Sequence, residues 1–123
     1  MSYSERKTVE KIEKLKLKLK KEGIKIKYLS NFWVMGMAIN HYIFILNGKR
    51  KPLAELCLLN HEYIHILQQN ELGFLRFVFI YLFYSVKYGY DKNPFEIEAY
   101  KFQGFPNYYK VRNKKAWKQF IQK

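Results

Sequence analysis

From Leu72 to about Tyr88 the chain is almost continuously apolar, with Phe74-Leu75 and the unbroken run Phe77 to Tyr84 interrupted only by the charge of Arg76. A helix this greasy cannot stand alone in water; it demands partners that bury it. The run is shorter than the ~20 residues a membrane span needs, so it reads as a buried core helix, with attachment to a membrane surface as the alternative. The whole chain has 123 residues, which is room for one domain, 1–123, with a modest core.

The first partner lies just upstream. Lys49-Arg50-Lys51-Pro52 is a loop ending in a proline suited to the first turn of a helix, where its missing N–H costs nothing. From Pro52 to about Asn70 the pattern is helical, and Leu53, Leu56, Leu59, Tyr63, Ile64 and Leu67 supply an apolar face. Within it stand His61, Glu62 and His65. Residues four apart share a helix face, so His61 and His65 can direct two imidazole nitrogens at one metal ion while Glu62 reaches a water beside it. Ligating imidazoles need acceptors for their other N–H, and Asn60, Gln68 and Gln69 are the candidates.

A second partner follows the apolar run. Asn93-Pro94 pairs a helix N-cap residue with a first-turn proline, opening a helix through Phe95, Ala99 and Phe102, an i, i+4, i+7 stripe that faces the interior. Glu98 lies inside that stripe, and an inward carboxylate costs several kcal/mol unless a cation meets it. Glu98 is therefore the expected third metal ligand. Glu96, on the other side with Tyr100 and Gln103, is the alternative.

Upstream, residues 4–22 show helical spacing at Val9, Ile12, Leu15 and Leu19, although Leu15, Leu17 and Leu19 also alternate as a strand would. After Gly23, the segments 24–29, 32–39 and 42–46 are β-rich, and the Asn40-His41 junction suits a tight turn. They predict an antiparallel sheet of about three strands, giving an α+β domain. Downstream, a Gly104-Phe-Pro-Asn loop and a short helix with Trp117, Phe120 and Ile121 pack back onto the core.

Charge is unevenly spread. Lys plus Arg against Asp plus Glu number ten against four in residues 1–27, six against six in 28–100, and seven against none in 101–123, for a net +13. Basic ends around a neutral centre fit an anionic partner, either nucleic acid or a membrane surface, or a solubilising surface. A single cysteine, Cys57, excludes an intramolecular disulfide and is read as packing. No apolar segment follows Met1, so no secretory signal is read and the expected location is cytoplasmic, or virion-associated in a phage setting.

The order of these features, a strand region, then His61-Glu62-x-x-His65, then a helical spacer, then a Glu-bearing helix, resembles the gluzincin group of zinc metallopeptidases. His61-Glu62-Tyr63-Ile64-His65-Ile66-Leu67-Gln68-Gln69, Phe95-Glu96-Ile97-Glu98-Ala99-Tyr100, Tyr109 and Arg112 are similar to a pattern in small bacterial and phage-type HExxH proteins. The resemblance covers residues 53–112. It implies a minimal zincin-like fold, Zn2+ as cofactor, His61, His65 and Glu98 as ligands, Glu62 as catalytic base, and a peptide or protein as substrate. Tyr100, Tyr108 and Tyr109 are then candidates to steady an oxyanion. A non-catalytic zinc scaffold, serving as a structural or virion component or a basic nucleic-acid-associated module, is the alternative function.

Overall fold

Ser2 starts the first helix with a reciprocal cap: its hydroxyl accepts from the Glu5 backbone N–H, and the Glu5 carboxylate accepts from the Ser2 backbone N–H. The computed structural model describes residues 1–122, and in it α1 spans Tyr3–Lys21. Ile12, Leu15 and Leu19 are buried whereas Leu17 is exposed, so the period of 3.6 prevails over the period of two. Gly23, at φ 76, lets the chain leave the helix in a left-handed turn.

Three short strands follow, β1 (Lys25–Leu29), β2 (Gly36–Ile39) and β3 (Tyr42–Leu46). The sheet is mixed rather than antiparallel. Its order is β1-β3-β2, with β1 parallel to β3 and β2 antiparallel to it. The β2–β3 hairpin turns at Asn40, whose φ of 56 an asparagine tolerates. The departure lies in residues 30–35, expected in part as strand: they are irregular and carry the chain past β3 to its far side, so β3 returns between the other two. A six-residue connection is too long for the tight hairpin that a simple meander would use.

The long helix α2 (Pro52–Leu72) is the central element. One side packs on α1 and the sheet through Leu56, Leu59, Tyr63 and Ile66 against Leu15, Leu19, Ile43 and Ile45. The other side meets α3 (Phe74–Tyr88), α4 (Pro94–Phe102) and α5 (Tyr108–Val111). Gly73, at φ 82, separates α2 from α3. A second core joins Phe77 of α3, Phe95 of α4 and Trp117 in the 3-10 turn Ala116–Phe120. With both sides covered, α2 buries Asn60, His61, Glu62, His65, Gln68 and Gln69 as well as its apolar residues.

The expectation of a buried core helix holds for one face of α3 only. Phe77 is buried and Tyr81 and Tyr84 pack on the second core, but Leu75, Phe79, Leu82, Phe83 and Val86 are exposed. Among the described residues no helix is long and apolar enough to cross a membrane.

Candidate metal centre

The polar residues of α2 each have a definite task, and together they position the site. Asn60 donates from Nδ2 to the carbonyls of Phe102, Gln103 and Phe105, closing the C-terminal end of α4 onto α2. Asn93 fixes the other end of α4: its Oδ1 accepts from the Phe95 N–H, and its Nδ2 donates to the Tyr81 carbonyl and Ser85 hydroxyl of α3. Gln69 holds the edge strand, accepting from the Asn40 N–H at 2.8 Å and donating to the Ala38 carbonyl at 2.7 Å.

On this frame His61, His65 and Glu96 converge. Glu96 Oε1 lies 3.0 Å from His61 Nε2 and 3.1 Å from His65 Nε2, and the two Nε2 atoms are 3.2 Å apart. All three side chains are buried. The remaining ring nitrogens face amide oxygens: His61 Nδ1 is 3.0 Å from Gln103 Oε1, and His65 Nδ1 is 2.8 Å from Gln68 Oε1. Gln68 is fixed in that orientation because its Nε2 donates to the Phe95 carbonyl and to Glu98 Oε1, both at 3.0 Å. An amide oxygen only accepts, so each Nδ1 carries the hydrogen, and a neutral ring turns the bare lone pair of Nε2 toward its neighbour. Two lone pairs and a carboxylate oxygen facing one point repel unless a cation sits among them.

Either a proton or a metal ion can be that cation. Burial pushes the His65 imidazole toward the neutral form, but the Glu96 charge and its hydrogen bond outweigh burial and raise the pKa to about 9. Burial likewise opposes ionisation of Glu96, yet the His65 charge and hydrogen bonds from His61, His65 and Tyr81 hold its pKa well below the usual carboxylate range. The donor set also fits a metal. Atoms bound at ~2.0–2.1 Å to one tetrahedral zinc lie ~3.3 Å apart, close to the three separations seen here. The Tyr81 hydroxyl donates to Glu96 Oε2, and each imidazole has its outer hydrogen accepted, the arrangement that orients metal ligands.

Glu98, the third ligand expected from sequence, is elsewhere. It is fully buried, but it faces away from the histidines and accepts from Arg112 at 2.6 and 3.1 Å, from Tyr108 at 2.7 Å and from Gln68. Its cation is Arg112, which also binds Glu71 at 2.9 Å. Both faces of α4 therefore meet other parts of the protein. The face of Glu96, Tyr100 and Gln103 meets the histidines, and the stripe of Phe95, Glu98 and Ala99 meets Gln68, Arg112 and the neighbouring cores.

Glu62 borders the same space, a cleft of about 1150 Å³ whose lining includes His61, Glu62, His65, Gly36, Tyr90 and Tyr100. Among the described residues the Glu62 carboxylate takes no hydrogen bond from another protein group. Its pKa is raised, first by burial; the two histidines oppose the rise and Glu96 adds to it. Gly36 of β2 runs directly over it: a Cβ there would come within 3.0 Å of both Glu62 Oε2 and Leu58 Cδ1.

Of the expected oxyanion candidates, only Tyr100 is in the cleft. Its ring packs edge-on against His61 with centroids 4.5 Å apart, and its hydroxyl lies 3.0 Å from that of Tyr90, a residue the sequence reading missed. Tyr108 is committed to Glu98, and Tyr109 packs on Tyr63 in the first core. Comparison with protein-family models, curated proteins and solved structures found no match for the chain.

Proposed function

We propose that the chain is a small zinc-dependent peptidase with a minimal gluzincin-like site, in which His61, His65 and Glu96 hold the ion and Glu62 is the general base. The carrying observation is the convergence of two Nε2 lone pairs and one carboxylate oxygen, with both Nδ1 hydrogens already accepted. Zinc held by three protein groups supplies Lewis acidity, bringing the pKa of water toward ~7 and polarising a carbonyl.

The chain's own residues supply the rest. Glu62, buried and without a hydrogen-bond donor among the described residues, is free to take a proton from the attacking water at Oε2 and pass it to the leaving amine. The Tyr90–Tyr100 pair shares one hydrogen bond, leaving one hydroxyl hydrogen to direct at negative charge on the carbonyl oxygen. β2 is an edge strand, and Gln69 occupies its free side at Ala38; Gly36, two residues earlier, lines the cleft beside Glu62, where an extended peptide backbone would add to the strand.

Hydrolysis of an unstructured protein such as casein by zinc-loaded protein tests the reading. Glu62→Gln should keep zinc and lower turnover by about 10²–10⁴-fold. Turnover unchanged in that variant would remove Glu62 as the base, and no turnover with zinc bound would leave a metal-stabilised scaffold instead.

A further inference from the structure

We propose that the outer face of α3 docks on an anionic membrane surface, with the cleft opening at the edge of the contact. Leu75, Phe79, Leu82, Phe83 and Val86 fall at i, i+4, i+7, i+8 and i+11, which is one continuous stripe along the helix. All five are exposed, Phe79 at 74% and Val86 at 89%. The inner face of the same helix, Phe77, Tyr81 and Tyr84, is already packed on the second core, so the stripe has no role in holding the fold. Contiguous apolar side chains of this size mark a contact with another apolar phase.

Charge identifies that phase. Arg76 and Lys87 lie along one border of the stripe, both exposed, and Lys87 Nζ stands 5.7 Å from the centre of the Phe83 ring. α3 contains no Asp or Glu, and the chain as a whole carries +13. An apolar face edged by lysine and arginine on a strongly cationic protein is what inserts among anionic headgroups, the long side chains reaching up to phosphate while the apolar groups enter the acyl boundary. Two copies joined through this stripe would instead bring their cationic borders together, with the net charge of both chains opposing the contact. Nucleic acid offers no apolar phase for phenylalanine, leucine and valine to enter.

Length decides the mode. Fifteen residues at 1.5 Å each give ~22 Å, less than the ~30 Å of a bilayer core, so α3 lies along the surface instead of crossing it. Leu82 belongs both to the stripe and to the cleft lining, which also includes Val78. The cleft's lining further includes Trp33 and Met35, both exposed, Trp33 at 79%, and tryptophan favours the membrane–water boundary. Docked this way, the cleft would meet chain segments that emerge from the bilayer.

Co-sedimentation with vesicles of phosphatidylcholine, with or without about 30% phosphatidylglycerol, tests the docking. Wild-type protein should bind the anionic vesicles, bind pure phosphatidylcholine at least about tenfold more weakly, and be released by salt. The double variant Phe79→Ser, Val86→Ser should lose about tenfold or more while keeping its melting temperature, since neither side chain belongs to a core cluster. Absence of binding to anionic vesicles overturns the proposal, as does binding undiminished in the double variant. A dimer in sedimentation equilibrium that the same variant dissociates also overturns it, assigning the stripe to a second copy. Zinc-loaded and chelator-treated protein should bind alike, so failure here leaves the metal-site reading untouched, and failure of that reading leaves docking intact.

Discussion

At the scale of single residues, the two glutamates of α4 show what helical register reveals and what it cannot. The rule that a buried carboxylate needs a cation holds for both: Glu98 has Arg112, and Glu96 has the proton or metal ion shared with the two histidines. Which cation belongs to which carboxylate was not legible, because the stripe of Phe95, Ala99 and Phe102 marks one interior face and gives no sign that the opposite face meets other parts of the protein too. Arg112, fourteen residues beyond Glu98, was not read as its partner, because nothing local to either residue brings the two together. Truncating Arg112 to Ala leaves a fully buried charge unpaired and should cost about 3–5 kcal/mol in chemical denaturation. Zinc should remain in this variant. The His65 pKa gives a pH dependence for metal-free protein: raised above its unfolded value of ~6.5 to about 9, it contributes stability that is complete below pH ~6.5 and is lost as pH rises through about 9. The melting temperature of chelator-treated protein should fall across that window, and zinc-loaded protein, whose imidazoles must be neutral, should not show this fall.

At the scale of elements, helices were the more legible part. Pro52 and Asn93-Pro94 announce α2 and α4, because capping chemistry is local, whereas the break at Gly73 fell inside a run read from Leu72 onward: α2 continues to Leu72 and α3 begins at Phe74. Sheet topology was not, since a parallel β1–β3 pair depends on where residues 30–35 cross, and no local residue type specifies that path. Asn93→Ala removes an N-cap and the bonds from Nδ2 to Tyr81 and Ser85, and should destabilise by about 2 kcal/mol in thermal or urea unfolding. Gly36→Val puts a branched side chain where a Cβ is already 3.0 Å from Glu62 Oε2, so β2 or Glu62 must shift. Turnover should fall about 10²-fold with zinc retained, measured against wild type at equal zinc content.

At the scale of the whole molecule, α2 holds two cores together: sheet and α1 on one side, α3, α4 and the C-terminal turn on the other. The candidate ligands come from α2 and α4, so an ion there ties the second core to the central helix and should raise the melting temperature in proportion to the logarithm of free zinc above its dissociation constant. The charge division read from sequence is a whole-molecule property as well, but the exposed half of α3 was hidden by its composition: an apolar run reads the same whether one face or both are covered. Metal content of wild type, Glu96→Gln and Glu98→Gln, purified after zinc loading and desalting, tests the account most directly. The geometry predicts about one zinc per chain in wild type and in Glu98→Gln, and little or none in Glu96→Gln. Wild type without zinc, or zinc kept by Glu96→Gln and lost from folded Glu98→Gln, would contradict it.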